Sequence, residues 1–248
     1  MSDWQNAALE KMEELATSKA ELFQSAKPFP HIHIDDFFEK RLFAELVNEF
    51  PLDSDPIWEA SNQEGIQVKL RSNWVRESDL PPITREVTHL LNSGAFMKPL
   101  AKLTSIEKLI SDPYYTGGGL NCVKRNGLLD IHVDGNWHHA MGVHRRLNVI
   151  LYLNKNWNTE WGGALELWNQ DLSSCKKAID PIGNRLVIFE THDLTFHGHP
   201  SPLQCPDGRS RNSLILYYYT AAPRPTSQVV VEKPHRALWR KRQLKELS

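Results

Sequence analysis

The stretch DIHVDGNWHH, residues 130–139, places a histidine and an aspartate two positions apart, at His132 and Asp134. In a β-strand, alternate side chains project from the same face, so these two would point to one side and Val133 to the other. An imidazole and a carboxylate placed in this way could share a small cation. Two ligands hold such an ion poorly, so the pattern predicts a third ligand elsewhere in the chain.

The stretch THDLTFHGHP, residues 191–200, offers that third ligand at His197 or His199. Alternation cannot separate the two, because they have the same parity. Two histidines and one carboxylate on one side of a metal form the facial triad of non-haem Fe(II) oxygenases. Zinc is a rival metal, since the same ligands suit it. A His-x-Asp pair also occurs on protein surfaces without any metal, because short motifs are weak signals.

An arginine follows in the strand-like run RNSLILYYYT, where period two places Arg211, Ser213 and Ile215 on one face. A guanidinium buried beside a metal is costly unless it meets an anion, and its planar fork suits a carboxylate. Arg209 has the same parity, but Arg211 opens the apolar run and is preferred. This face therefore predicts an anion site next to the metal site.

The run RRLNVILYLN adds a possible hydrogen-bond donor, because its alternation places Asn148, Ile150 and Tyr152 on one face. If that face points inward, the hydroxyl of Tyr152 would give the same carboxylate a second donor. The other interpretation is that Tyr152 is an amphipathic tyrosine of the core.

Taken in order, these motifs resemble the Fe(II)- and 2-oxoglutarate-dependent dioxygenases, specifically the prolyl-hydroxylase-like branch. The resemblance covers roughly residues 115–222 and is carried by HVDGNW, RRLNVILYLNKNWNTEWGGALELW, NRLVIFETHDLTFHGHP and RSRNSLILYYYT. The N-terminal HIHIDDFFEKRLFAELVNEFP also resembles the first strand and helix of such proteins.

The resemblance implies that Fe(II) is held by His132, Asp134 and His197. His197 is preferred to His199 because the family's ligand tends to precede a proline by a few residues, as it does Pro200 here. The implied cofactors are Fe(II), 2-oxoglutarate and O2, with ascorbate as a candidate reductant. Asp134 favours hydroxylation, because related halogenases carry Gly or Ala at this position.

The resemblance also implies how the cosubstrate is held. Arg211 would meet the far carboxylate of 2-oxoglutarate, with Tyr152 and Ser213 as donors and with Asn148 and Ile150 on the same wall. Relatives often carry a tyrosine on the strand before His-x-Asp, whereas this chain has Val123 nearby.

The implied reaction is hydroxylation of an unactivated C–H bond, with decarboxylation of 2-oxoglutarate to succinate. The expected substrate is an amino acid, free or in a peptide, or a small metabolite. The residues expected to contact it are Trp137, His138, Arg71 and Trp74. The alternative functions are a non-enzymatic metal-binding barrel of cupin type and a nucleic-acid demethylase built on the same site.

Regular elements must position these side chains, and in the first part of the chain they are mainly helical. Apolar residues at helical spacing predict helices in residues 4–23, in EKRLFAELVNEFP, from Ile83 to Gly94 and from Leu100 to Ile110. Residues 31–37 alternate as a strand.

After the three glycines at 117–119 the apolar period changes to two. The β-type runs are LNCVK, LLDIHVD, RRLNVILYLN, GALELW, NRLVIFE and RNSLILYYYT. Many short strands at this spacing predict a sandwich or barrel, and the resemblance implies a double-stranded β-helix, or jelly roll. We therefore predict one α+β domain with a mainly β core: residues 1–112 as a helical support, 113–222 as the catalytic core and 223–248 as a basic tail.

Composition limits the partners. The 248 residues carry a formal net charge of −1, which gives no electrostatic reason to expect nucleic acid or an anionic membrane. The opening segment lacks the apolar centre of a signal peptide, and no window is long and apolar enough to span a membrane. Three widely spaced cysteines form no disulfide framework, and a reducing cytoplasm is expected. The basic C-terminal segment is predicted to be a solvated helix.

Overall fold

The N-terminal region supplies the helices of the fold, as its apolar periodicity predicts. The protein is described by a computed structural model over residues 1–63, 65–74 and 76–239. Within those residues the α-helices are α1 (Asp3–Ser18), α2 (Ala20–Ser25), α3 (Lys40–Asn48), α4 (Pro82–Leu91) and α5 (Gly94–Thr104).

Local signals explain two of the helix starts and one helix end. Pro82 opens α4, where the missing N–H costs nothing, and the Ser93 hydroxyl accepts a hydrogen bond from the Phe96 amide at the start of α5. The helix predicted to run from Leu100 to Ile110 is wrong at its C-terminal end. α5 ends at Thr104, because Ser105 adopts a left-handed conformation, and Ile110 lies in a strand.

The strands of the described residues form one continuous sheet. They are β1 (His31–Ile34), β2 (Trp58–Gln63), β3 (Gln67–Ser72), β4 (Ile110–Ser111), β5 (Gly119–Lys124), β6 (Leu128–Val133), β7 (Trp137–His138), β8 (Val143–Tyr152), β9 (Leu165–Trp168), β10 (Cys175–Ile179), β11 (Leu186–Glu190), β12 (His197–His199), β13 (Ser210–Thr220) and β14 (Leu238–Trp239). The six predicted β-type runs correspond to β5, β6, β8, β9, β11 and β13.

The sheet order is β1-β11-β8-β13-β5-β3-β6-β12-β9-β10, with antiparallel pairing between neighbours. The sheet curls into a nearly closed jelly-roll-like barrel, so the predicted double-stranded β-helix with helices packed on it is confirmed. Sequence neighbours such as β12 and β13 are far apart in this order, and the curl brings their side chains into one interior.

The alternation of β8 divides the core into two layers. Leu147, Val149 and Leu151 face the helices and pack in the cluster that contains Phe96 and Leu100. Ile150 and Tyr152 face the barrel interior and pack with β9 and β11 residues. Each fully buried aliphatic or aromatic side chain contributes about 1.5–3 kcal/mol, so the helices hold β8 and its inward face in place.

Two regions differ from their predictions. Residues 1–112 were predicted to be a helical support, but Gln67–Ser72 within them form β3, which pairs with β2 and is inserted between β5 and β6. The described part of the C-terminal tail is not a helix: it ends in β14, which pairs with β6. Arg240, Lys241, Arg242 and Lys245 of the predicted helix lie outside the described residues.

None of the helices in the described part of the chain is long and apolar enough to cross a membrane.

Candidate active site

His132, Asp134 and His197 converge in the barrel interior. β12 pairs with β6 so that His197 lies directly opposite His132, and Asp134 follows β6 by one residue. The Asp134 carboxylate lies 3.4 Å from His132 Nε2 and 3.6 Å from His197 Nε2. One donor atom from each residue lies within 4.8 Å of the others; both histidines are buried, and the Asp134 side chain is 12% exposed.

Gly198 permits this convergence, because β12 approaches the backbone of β6 very closely at this point. A Cβ at position 198 would lie 2.6 Å from the Leu129 carbonyl oxygen and 2.7 Å from the Asp130 carbonyl oxygen. No other residue type fits there without moving one strand, since real Cβ contacts are longer. The glycine between the two histidines of HGH is therefore a positional requirement of the site.

Both histidines of the cluster are oriented in the same way. His132 Nδ1 lies 2.8 Å from the Asp130 carbonyl oxygen, and His197 Nδ1 lies 2.9 Å from the Thr195 carbonyl oxygen. A ring N–H that donates to a carbonyl leaves the opposite nitrogen, Nε2, as a lone pair for a metal. Burial lowers the pKa of His197 to about 4, which keeps its imidazole neutral, the form that binds metal.

The Asp134 carboxylate is surrounded by donors and positive charge. Asn148 Nδ2 donates to Asp134 Oδ2 at 2.7 Å, and Arg145 Nη1 lies 3.5 Å from the same oxygen. Burial on its own would raise the pKa of Asp134, but His197, His132 and Arg145 together hold it well below its usual range. The carboxylate is therefore ionised at neutral pH.

The three donors fit a small divalent cation. Two ligands at right angles on one ion at about 2.1 Å lie about 3 Å apart, so the distances from the carboxylate to the imidazoles need to shorten only slightly. Two imidazoles and one carboxylate on one side match the facial set of non-haem Fe(II) sites, with other positions left open.

A second polar site lies around Arg211 on β13. Its Nε donates to the Gly163 carbonyl oxygen at 2.7 Å, and its Nη2 lies 2.9 Å from the Tyr152 hydroxyl. Gly163 has a positive φ of 75°, and a Cβ there would meet Leu203 at 2.6 Å and Arg211 at 3.0 Å. No carboxylate of the described residues lies within ion-pair distance of Arg211, although the side chain is buried.

The buried polar atoms without a hydrogen-bond partner in the described part of the protein include Ser213 Oγ and His199 Nδ1. Ser213 lies directly opposite Tyr152 between β13 and β8. Burial lowers the pKa of His199 well below its usual value, and Arg211 adds to that effect. A buried cation and two unsatisfied polar atoms in one chamber fit an anionic ligand with several acceptor oxygens, such as 2-oxoglutarate.

Four residues besides Arg211 were predicted to surround 2-oxoglutarate, and the structure places them in different parts of the chamber. Tyr152 touches Arg211, Ser213 is its neighbour across the strands, and Asn148 contacts Asp134 instead of the Arg211 pocket. Ile150 packs in the interior cluster with Tyr152. The structure therefore places Asn148 at the metal end of the chamber.

Two predicted substrate residues lie away from the triad. The His138 imidazole is buried, with Nε2 3.1 Å from Asp112 and Nδ1 accepting from the Met141 amide. Trp137 packs edge-on against His144 and lines an outer cavity next to the C-terminal segment. Both residues lie in β7, which pairs with β8, and both side chains make contacts within the protein.

The other two predicted substrate residues are Arg71, on β3, and Trp74, just after it. Arg71 pairs with Glu59 at 2.8 Å and lines a cavity of about 200 Å³ together with Lys69 and Gly117. Trp74 packs edge-on against Tyr115. Arg71 is thus at the rim of the chamber, next to the loop that precedes β5.

Arg145 is a site residue that alternation alone misses. Strict period two would place it on the helix-facing side of β8 with Leu147. A register shift intervenes: Tyr218 lies opposite Leu147, but Tyr219 lies opposite Arg145. The extra residue turns Arg145 inward, as a β-bulge does, and its guanidinium lies 3.7 Å from the centre of the Tyr217 ring.

Trp239 is another interior residue that the motifs do not indicate. β14 places the Trp239 ring on the His132 ring, with centroids 4.5 Å apart and planes 31° from parallel. Lys69, in the same stretch QVKLRSNWVR as Arg71, shares a face of β3 with it, as the spacing of the two residues predicts.

Comparison with known proteins agrees with this architecture. Residues 118–219 match the sequence model of the 2OG-Fe(II) oxygenase superfamily. A prolyl 3-hydroxylase, OGFOD1 of Mus musculus, is 30% identical over 99 residues, which is 37% of this chain and 18% of that protein. The chain thus spans about a fifth of the length of this curated relative.

Two solved structures share the fold. A Trichoplax adhaerens prolyl hydroxylase, solved in complex with a hypoxia-inducible-factor oxygen-degradation-domain peptide, superposes with a TM-score of 0.61 at 18% identity, over 88% of this chain and 94% of that one. A Pseudomonas putida prolyl-4-hydroxylase has a TM-score of 0.58 at 15% identity, over 83% of this chain and 99% of that one. Residues 118–219 of this chain thus match the 2OG-Fe(II) oxygenase superfamily model, and the described residues share the fold of these two prolyl hydroxylases.

Proposed function

We propose that this protein is a hydroxylase that uses Fe(II), 2-oxoglutarate and O2 to oxidise an unactivated C–H bond, releasing succinate and CO2. One observation carries the proposal. A buried guanidinium without an ion pair to any described residue, Arg211, lies in the same interior as a His-Asp-His cluster whose donor atoms lie within 4.8 Å of one another. A metal-binding barrel of cupin type would have no use for that unpaired cation.

In this scheme His132, Asp134 and His197 hold the iron, and Asn148 and Arg145 keep the Asp134 carboxylate ionised and oriented. The bound iron and keto acid would supply the oxidising chemistry; the protein supplies geometry and exclusion of water.

Arg211, Tyr152 and Ser213 bind the far carboxylate of 2-oxoglutarate. The pKa of Tyr152 is raised, mainly by burial, so its hydroxyl stays protonated and can donate. Ser213 Oγ gains the partner that it lacks.

The proposed substrate is an amino acid, in a peptide or free, or a small metabolite. The similarity to prolyl hydroxylases supports an amino-acid substrate, and the rim formed by β2 and β3 is the surface that faces it. A nucleic-acid demethylase is less well supported, because the chain has no excess of positive charge. Three free cysteines support a reducing compartment such as the cytoplasm.

Cosubstrate binding tests the proposal directly. Anaerobic protein with Fe(II) and 2-oxoglutarate should develop the weak visible charge-transfer band of the chelate, and Arg211→Ala should weaken it. Arg209→Ala is the matched control, since Arg209 has the same parity but is exposed. An unchanged band in Arg211→Ala, or a loss in Arg209→Ala, would overturn the assignment.

Uncoupled succinate formation tests the ligands. Alanine variants of His132, Asp134 and His197 should each lose it. Full turnover in His197→Ala would transfer the ligand role to His199. A screen of amino acids, peptides and metabolites for stimulated succinate release, with mass spectrometry for a gain of one oxygen, would then identify the substrate.

A further inference from the structure

Lys69 is an interior cation for which the proposed reaction has so far no role. β3 lies between β5 and β6, and Leu70 is opposite Cys122. Arg71, two residues after Lys69, lies opposite Asn121, which in turn lies opposite Ser213. Because alternate residues of a strand share a face, Lys69 is on the same face of the sheet as Arg211, two strands away.

The Lys69 ammonium has no hydrogen bond or ion pair with any other residue that the structure describes. Burial lowers its pKa to about 8, Asp134 partly offsets that effect, and Arg71 and Arg211 add to it. The charge of Lys69 also lowers the pKa of His199. The ammonium thus interacts electrostatically with both the Asp134 carboxylate and the Arg211 guanidinium, and it is still mostly protonated at neutral pH.

The charges of the chamber leave this cation without a counterion. Arg71 is neutralised by Glu59, and Asp134 is the only carboxylate of the His-Asp-His cluster. Once Asp134 binds a divalent metal, its negative charge is no longer available to Lys69. A buried ammonium in that position needs another anion.

We propose that Lys69 is a second cationic anchor for 2-oxoglutarate, pairing with the carboxylate beside the metal-binding cluster while Arg211 holds the far carboxylate. This inference rests on the proposed function. A dianion with carboxylates at both ends matches two cations facing one chamber. The cavity that Lys69 and Arg71 line gives small molecules access to this end from the rim.

The test is a binding measurement on protein loaded with Zn(II), which takes the same ligands and carries out no redox chemistry. Calorimetric titrations use 2-oxoglutarate and oxalate; oxalate has the metal-binding carboxylates but no distal one. The variants are Lys69→Gln, Lys69→Met, Lys69→Arg and Arg211→Gln. Lys98→Gln is the matched control, because Lys98 is an exposed lysine on α5.

We expect Lys69→Gln and Lys69→Met to weaken both 2-oxoglutarate and oxalate at least tenfold, and Lys69→Arg to retain most of the affinity. Arg211→Gln should weaken 2-oxoglutarate but not oxalate. Unchanged affinities in Lys69→Gln would overturn the inference. A loss for 2-oxoglutarate alone would contradict the assignment of Lys69 to the metal end.

Thermal melting of the metal-free variants separates binding from a structural role. Because burial disfavours the charged ammonium, Lys69→Met should melt at the same temperature as the wild type or higher, and should lose most of the upward shift that 2-oxoglutarate causes in the Zn(II) form. A lower melting temperature together with an unchanged ligand shift would show that Lys69 only supports the fold. Failure of the wild type to bind 2-oxoglutarate would instead reject the proposed function.

Discussion

At the scale of single residues, the candidate site depends on groups that hold the three proposed ligands in one protonation state and one orientation. Backbone carbonyls accept from Nδ1 of His132 and His197. Asn148 and Arg145 act on Asp134. Groups that hydrogen-bond to a metal ligand hold it in the orientation that binds the metal. Removing such a group therefore lowers the metal affinity, although the group does not itself touch the metal.

Asn148→Ala should therefore lower the affinity for Fe(II) by about 10–100-fold, although Asn148 is not a proposed ligand. The lost amide leaves Asp134 Oδ2 with only longer contacts, to Arg145 at 3.5 Å and to His197 at 3.6 Å. Anaerobic metal titration would measure the change. Asn169→Ala is the control, since that amide bonds to Ser173 in a remote turn. Equal affinities in wild type and Asn148→Ala would show that Arg145 alone orients the carboxylate.

His192 makes stability depend on pH. Burial lowers its folded-state pKa to about 4, and Arg224 and Arg146 add to the effect while Asp193 opposes it. The ordinary value of about 6.5 applies to the unfolded chain. Below pH 6.5 the unfolded state therefore binds a proton that the folded state does not, so stability falls as the pH drops towards 4 and is unaffected above 6.5.

His192→Asn should remove that contribution, about 3 kcal/mol at most at pH 4. Asparagine can still accept from the Leu194 amide, as His192 Nδ1 does. Urea unfolding of the metal-free protein at pH 7.5, 6 and 5 would measure the difference between variant and wild type. His139→Asn, at an exposed histidine, should leave the pH dependence intact. A pH-independent difference for His192→Asn would refute the linkage.

At the scale of elements, two short strands complete the site. β12 is only three residues long, yet it carries one proposed ligand and pairs with both β6 and β9. β14 covers the other edge of β6. The segment before β14 is held by buried Asp193, which accepts from Arg224 and from the Val230 and Val231 amides, and whose carboxylate lies 3.1 Å from His235 Nε2.

Gly198→Ala tests whether the approach of β12 to β6 determines the metal site. The added methyl group would meet two carbonyl oxygens of β6, so the strands must separate and His197 must move away from His132. We expect a loss of about 1–3 kcal/mol of stability and at least a tenfold loss of metal affinity. Gly94→Ala is the control, because a Cβ there meets nothing within 4 Å. Metal affinity unchanged in Gly198→Ala would mean that the cluster tolerates the shift.

At the scale of the whole molecule, the curled sheet puts residues from β3, β6, β8, β12 and β13 around one chamber. Several of these groups are cationic or lack partners: Lys69, Arg145, Arg211, His199 and Ser213. Their burial lowers the stability of the ligand-free protein. Bound metal and keto acid would supply the missing charges and hydrogen-bond partners and so raise the stability. Ligand occupancy and global stability are therefore coupled.

The coupling predicts that metal raises the melting temperature and that 2-oxoglutarate raises it further once the metal is bound. Zn(II) at 100 times its dissociation constant should stabilise the protein by about 2.7 kcal/mol, or about 5–10 °C for a chain of this size. 2-Oxoglutarate should add a further shift only when metal is present. In Arg211→Gln the metal shift should remain while the 2-oxoglutarate shift shrinks. Scanning calorimetry would measure both, and a 2-oxoglutarate shift that survives in Arg211→Gln would place the anion site elsewhere.

The sequence by itself determined the order of the chemical motifs and most of the regular elements. Period two in LLDIHVD, RRLNVILYLN and RNSLILYYYT predicted β6, β8 and β13, because strand alternation is a local property of the chain. The pairing of His132 with Asp134, and of Arg211 with Ser213, follows from the same alternation. The helix ends and the short β12 could be predicted less well, because helix caps and three-residue strands leave little periodic pattern in the sequence.

Only the tertiary structure decided which of these residues meet. His197 and His199 are equivalent by parity, but the register of β12 on β6 puts His197 beside Asp134 and leaves His199 near Arg211. The register shift in β8 turns Arg145 inward, β3 inserts Lys69 between β5 and β6, and β14 lays Trp239 on His132. Register and long-range pairing depend on contacts between segments far apart in sequence, which no local pattern contains.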